Sequence, residues 1–232
     1  MQTGSDPDPL AGVRRSLEAA GLARSDLGPD PLELFRSWFA FAQEVGVHQP
    51  EAVALATVDV TGQPSVRLVL LRGVDDRGFV FFTNYESRKG RELTVDALAG
   101  LDFPWHQISR QVRVEGTVER VTAEESDAYF ATRPRGSQIG AWASPQSRVL
   151  TDRAELLALV EEQEARWADR PVDRPPHWGG YRVRPHAIEF WQGRDSRLHD
   201  RFRYERDPQI PTADASLEPS GDEGWDVQRL AP

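Results

Sequence analysis

Apolar positions along the chain change period twice. From Leu34 they recur at Phe35, Trp38, Phe41, Ala42 and Val45, the three-to-four spacing of one helical face. Asp30, Pro31 and Glu33 supply an N-cap, a first-turn proline and an early acidic residue, so a helix is predicted to open there. From Ala52 the pattern becomes short apolar runs cut by turn residues: AVALATV, then SVRLVLLR after DVTGQP, FVFFT after VDDRG, and later LDFPWH and RQVRVEGTVERV. Such runs predict consecutive antiparallel strands. Helical spacing returns near 123–132 and 152–167, before strands resume at GGYRVR, AIEFWQ and RLHDRFRYER. The predicted class is α+β, mostly β, with an antiparallel barrel and helices packed outside it.

The ends of the chain read differently. Residues 1–30 carry Pro, Gly, Asp and Arg without a sustained apolar period, which predicts a mobile arm with a short helix near 13–20. Residues 31–232 are then one domain. Within it, residues 205–224 (ERDPQIPTADASLEPSGDEG) are acidic and nearly free of large apolar side chains, as in a flexible insertion. The last eight residues, WDVQRLAP, regain apolar character and predict a final strand.

Composition narrows the function. Hydrophobic residues make up 39% and charged residues 28% of 232, a balance that supports a packed core. With 28 Lys+Arg against 37 Asp+Glu the net charge is −9, which disfavours a nucleic-acid or membrane-surface partner, so any anion site must be local. The count of 0 Cys excludes disulfides, thiolate nucleophiles and iron–sulfur clusters. The 5 His show no paired ligand spacing, so no metal site is expected. With no apolar stretch near 18 residues and no secretion-type start, a cytoplasmic location is expected.

The remaining chemistry is cationic. If 197–204 is a strand, Arg197, His199, Arg201 and Arg203 share one face, where either an anion or cross-strand carboxylates must neutralise them. Arg88 and Lys89 sit where a strand ends and a helix starts, a pattern that fits a phosphate site or a solvated turn. Arg67 and Arg72 lie at odd spacing on one strand, which sends them to opposite faces. Tyr129 precedes Arg133-Pro134-Arg135-Gly136-Ser137 at a helix end. Trp191, Gln111, Gln146 and Ser147 offer a ring and polar groups to a flat heteroaromatic ligand. Residue pattern alone thus points to a β-rich protein with several local anion sites, for a phosphorylated small molecule.

Taken together, RLVLLR, FFTNYESRKGREL, FPWH, RQVRVEG, YFATRPRGSQIGAWAS, WGGYRV, IEFWQGR, RLHDRF and the terminal RLAP resemble the pyridoxamine/pyridoxine 5′-phosphate oxidase family, in collinear order over most of 31–206 and the C-terminus. The resemblance implies a homodimeric split barrel with FMN at the subunit interface. The implied reaction oxidises pyridoxamine or pyridoxine 5′-phosphate to pyridoxal 5′-phosphate with O2 as acceptor, releasing H2O2, in vitamin B6 salvage and biosynthesis. It assigns FMN to Arg67, Leu68, Val69, Leu70, Leu71, Arg72, Phe82, Thr83, Arg88, Lys89, Gln111, Gln146, Ser147, Trp191 and Arg201. It assigns substrate to Arg72, Tyr129, Arg133, Ser137, Arg197, His199 and Arg14, with Arg197 and His199 over the reacting carbon. Three departures stand out: Arg72 replaces a usual lysine, Leu17 replaces a tyrosine companion of Arg14, and Asp195-Ser196 replaces a more common pair before Arg197. A related flavoenzyme with another substrate, a flavin or pyridoxal-phosphate carrier without turnover, and a nucleic-acid module are the alternatives. The RPRGSQ and RLHDR strings argue against the first, and the charge argues against the last.

Overall fold

A computed structural model describes residues 8–206 and 224–232. Eight antiparallel strands run in the order β3-β2-β1-β4-β5-β6-β7-β8. They are β1 Ala52–Val58, β2 Pro64–Asp75, β3 Gly78–Asn84, β4 Leu98–Phe103, β5 Arg110–Arg120, β6 Trp178–Gln192, β7 Asp200–Glu205 and β8 Asp226–Leu230. A further pairing of β3 with β6 closes the first six into a barrel, leaving β7 and β8 as an extension. Closure removes two sheet edges that would otherwise expose unpaired backbone groups.

Period-two alternation places the core. β1 buries Val53, Leu55 and Thr57, and β5 buries Val112 and Val114, while their neighbours face outward. Helix α2, Pro31–Glu44, is capped by Asp30, whose side chain accepts from the Leu32 N–H at 2.8 Å. Its apolar face sends Phe35 against Phe79 and Phe103, each 4.8 Å away between ring centres, and Trp38 against Phe190 at 5.2 Å. Burial of each such ring contributes roughly 2 kcal/mol. The remaining helices are α1 Ala11–Ala20, α3 Arg88–Val95, α4 Ala123–Thr132, α5 Arg135–Ala143 and α6 Arg153–Arg166.

The 15-residue β6 organises the site: β3 pairs with its first half, β7 with its second, and β5 with nearly all of it. GGYRVR and AIEFWQ are therefore one strand, not two. The bulge at Glu115/Gly116 accommodates this length, since a Cβ at Gly116 would lie 2.3 Å from the Arg184 carbonyl.

Three expectations change. First, residues 8–30 are not a free arm: Leu10 and Leu22 are buried, and the Leu22 N–H donates to Asp200 at 3.1 Å, so α1 is held against the barrel. Second, the strand predicted at 197–204 begins only at Asp200. Ser196 and Arg197 have φ of +57° and +62°, a left-handed turn that no strand tolerates. Third, α5 follows α4 almost directly, so Ser137 lies in the first turn of a second helix where the sequence pattern marked only the end of one. Most of the acidic 205–224 segment lies outside the described residues.

Candidate active site

A cleft of about 660 Å³ opens where β2, β3, α3, α4 and α5 converge. The outer face of β2 supplies Leu68, Leu70 and Arg72; Arg67 points to the opposite face, as strand parity predicts. β3 supplies Phe82 and Thr83, α3 Lys89, α4 Tyr129 with Arg133 just beyond, α5 Ser137, and the following loop Gln146. Aromatic rings form one wall, with Phe82 stacked on Tyr129 at 4.0 Å and on Trp178 at 5.5 Å. β6 permits this because Gly180 lies opposite Phe82, and a Cβ there would come within 2.8 Å of that ring.

Three cations in the cleft, Arg72, Lys89 and Arg133, have no carboxylate ion-pair partner among the described residues, and two of them are informative. Arg133 lies 4.5 Å from the Trp178 ring centre, and its Nη1 is buried with no hydrogen-bond partner among the described residues. Burial lowers its pKa; Tyr129 opposes that shift and Arg72 adds to it. A buried donor left unmade costs about 1–3 kcal/mol, which a bound anion would recover. Lys89 donates to Gln146 Oε1 at 2.8 Å, Thr83 Oγ1 at 3.0 Å and Ser87 Oγ at 3.2 Å, all neutral acceptors. Burial, aided by repulsion from Arg67 and resisted by Glu92, lowers its pKa to about 8. Arg133 and Lys89 are both placed to receive negative charge.

Other expected site residues are placed differently. Arg67 and Arg88 do not line the cleft: both bind Glu92, at 3.2 and 2.8 Å, and Arg67 also donates to Thr57 and Ser65. Glu92 is nearly buried; despite that burial, Thr57, Ser65 and the two guanidiniums hold its pKa down to about 2. Sequence reasoning passed over Glu92, although its place four residues after Arg88 was a readable signal. It also passed over Trp178 and Thr132 as cleft residues. Leu71 points into the core, so only its backbone can face a ligand. Ser147, exposed and at φ +72°, directly follows Gln146.

A second cluster sits at the far end of β6. Gln111 pairs with Trp191, which pairs with Arg201. The His199 ring lies 4.6 Å from Trp191, its Nδ1 accepts from the Arg194 N–H at 3.1 Å, and Arg197 is exposed on the adjoining turn. Arg14 on α1 belongs to neither cleft wall and pairs with Asp8 at 2.9 Å. Arg201 and Arg203 are neutralised by carboxylates: Arg201 by Glu189 at 2.8 Å, Arg203 by Glu115 at 2.9 Å and by Glu205. Of the two neutralising possibilities for that face, carboxylates are the one realised on the strand. Trp178 and Trp191 mark opposite ends of β6, about 40 Å apart by the rise of an extended strand. None of Gln111, Trp191, Arg197, His199 and Arg201 lines the cleft.

A closed antiparallel barrel with an aromatic, cation-lined cleft defines a split-barrel protein for a phosphorylated ring ligand. Comparison with known proteins narrows this. A family model described as pyridoxamine 5′-phosphate oxidase matches residues 41–166, and one described as the pyridoxine 5′-phosphate oxidase C-terminal dimerisation region matches 178–232. Proteins named pyridoxine/pyridoxamine 5′-phosphate oxidase are similar nearly throughout. That of Cupriavidus necator is 52% identical over 96% of this chain and 99% of its own length, and that of Rubrobacter xylanophilus 56% over 89% and 95%. Among solved structures, PhzG from Burkholderia lata, in complex with tetrahydrophenazine-1-carboxylic acid, superposes with a TM-score of 0.80 at 34% identity, covering 91% of this chain and 98% of its own. The chain belongs to the pyridoxine/pyridoxamine 5′-phosphate oxidase family. No helix among the described residues is long and apolar enough to cross a membrane.

Proposed function

We infer that the chain is a homodimeric, FMN-dependent oxidase that converts pyridoxine and pyridoxamine 5′-phosphate to pyridoxal 5′-phosphate. The structural observation that carries this reading is the buried, partnerless Nη1 of Arg133 in a cleft that also holds Arg72, Ser137 and Tyr129. That set grips a phosphate beside an aromatic wall, as a phosphorylated pyridine requires. Lys89, with Thr83 and Gln146, fits a second phosphate, that of FMN, and the exposed face of Leu68 and Leu70 offers the flavin apolar surface. Arg67 and Arg88, anchored by Glu92, add positive charge beside Lys89.

When bound, FMN supplies the two-electron acceptor that no side chain offers, and O2 accepts those electrons with release of H2O2. The protein's part is to bind, orient and desolvate. Gln111, Trp191, Arg201, Arg197, His199 and Arg14 do not line the cleft of their own chain. In this reading they serve the cleft of a second copy across a two-fold interface, which puts FMN at that interface. Arg197 and His199 then hold the substrate ring over the reacting carbon, and Ser147 adds a contact to FMN. The Nδ1 of His199 accepts a hydrogen bond from the Arg194 N–H, which leaves Nε2 as the ring nitrogen free to meet the substrate. A cytoplasmic location suits the cysteine-free composition.

The visible spectrum of the purified protein tests cofactor and reaction together. A yellow protein that bleaches anaerobically with pyridoxamine 5′-phosphate, and regains colour in air, is expected. Absence of bleaching rejects the oxidase, and equal bleaching by the unphosphorylated amine rejects the assigned phosphate grip.

A further inference from the structure

We propose that Arg182, on β6 and outside the cleft, is a positioning residue that sets the spacing of the substrate-phosphate grip. The inference rests on the oxidase reading above. The Arg182 side chain is only 3% exposed. Its Nη2 donates to Asp75 Oδ2 and Glu125 Oε1, both at 2.8 Å, and its Nη1 lies 3.5 Å from Glu119 Oε1. Asp75 ends β2 three residues after Arg72. Glu125 lies in the first turn of α4, about one helical turn before Tyr129 and two before Arg133. One planar cation therefore ties the strand that carries Arg72 to the helix that carries Tyr129 and leads into Arg133.

The gap it spans would otherwise be soft. A second cleft, of about 520 Å³, opens between these elements and is lined by Arg72, Phe82, Tyr129, Asp75, Glu125 and Arg182. The pairing of β2 with β3 slips at Leu71/Gly73, beside Arg72, so the strand is irregular where the grip needs it fixed. Arg77 also meets Asp75 and Glu125, at 3.1 and 3.2 Å, but it is 54% exposed, and solvent-screened pairs hold geometry weakly. Stability alone is a poor reason for Arg182: its Nε is buried without a partner, and well-packed apolar side chains in place of such an ionic cluster would avoid that penalty. Only a guanidinium reaches two carboxylates from one nitrogen and a third from another; an ammonium lacks the fork.

The test uses the flavin-loaded enzyme. Arg182→Lys keeps the charge and removes the fork. Glu125→Gln removes one charged partner and keeps an oxygen for the Thr122 N–H of the helix cap. In Arg182→Lys, KM for pyridoxamine 5′-phosphate and the inhibition constant of inorganic phosphate should both rise about ten-fold, and in Glu125→Gln about three-fold. FMN affinity and kcat should stay within about two-fold of the parent. A folded variant with unchanged KM and phosphate inhibition overturns the proposal, as does FMN affinity falling as far as KM rises, the mark of general loosening. Should Arg182→Lys fail to fold, Glu125→Gln decides. A parent enzyme that oxidises nothing overturns the oxidase reading instead, and equilibrium binding of pyridoxal 5′-phosphate to the flavin-loaded variants still reads the grip.

Discussion

Lys89 is an ammonium held among neutral oxygens, and its chemistry follows from that. Its pKa of about 8 in the fold lies below the ordinary 10.5. The unfolded chain keeps this proton to higher pH, so below about 8 the buried charge costs stability, and the cost fades as pH climbs from about 8 past 10.5. A phosphate bound at Lys89 needs the proton in place. FMN affinity should therefore be level up to about pH 8 and then fall, by about five- to ten-fold over the next pH unit. Quenching of FMN fluorescence at pH 7, 8 and 9 measures this. Lys89→Met should bind more weakly throughout and lose the dependence; the same slope in the variant would assign it to another group. At this scale residue type was readable in the sequence, because Arg88-Lys89 at a helix start is a recognisable anion pattern. Which of the two faces the cleft was not, because that depends on Glu92 capturing Arg88 and Arg67 from the other side.

Among the elements, β6 sets the accuracy of the site. Its glycine pair opposite Phe82 and Thr83 leaves room for the aromatic wall, and a Cβ at Gly180 would also stand 2.5 Å from Val121. Gly180→Ala should therefore cost about 1–3 kcal/mol of stability by overpacking. It should also displace the Phe82 ring from Tyr129 and raise substrate KM, so melting temperature and KM shift together. A variant that melts normally and binds normally would mean that Phe82 has freedom the stack does not suggest. Strand and helix existence was legible wherever the period was long: α2, α4, α6 and β1 to β5 follow their apolar spacing. The sequence pattern misjudged the start of β7 because Arg197 to Tyr204 alternates on paper at every position but Asp200. The turn is decided by a backbone bond from Leu198 to Asp195 and by the His199 ring, contacts that no alternation encodes. The docking of α1 was hidden for a similar reason, since two buried leucines, Leu10 and Leu22, make no period.

For the whole molecule, the separation of the two clusters along β6 carries the main consequence. Odd spacing told Arg67 from Arg72, but no single-chain pattern could suggest the proposed sharing of one ligand by Arg197 and Arg133 of different copies, because such a pairing would exist only in a dimer. A site composed in this way makes a prediction that a single-chain site does not. Take one variant defective in the cleft, Arg72→Met with Arg133→Met, and another defective at the far cluster, Arg197→Met. Each homodimer should be nearly inactive at substrate levels near the parent KM, with FMN still bound to the second. When the two are co-expressed with different tags and mix freely, half the dimers are heterodimers. The two-fold relation then gives each heterodimer one intact site and one doubly defective site, so about a quarter of parental activity should return. Purified heterodimer should carry about half, and flavin titration should find its sites unequal. If the two clusters instead acted within one chain, every site in the mixture would hold a defect and nothing would return.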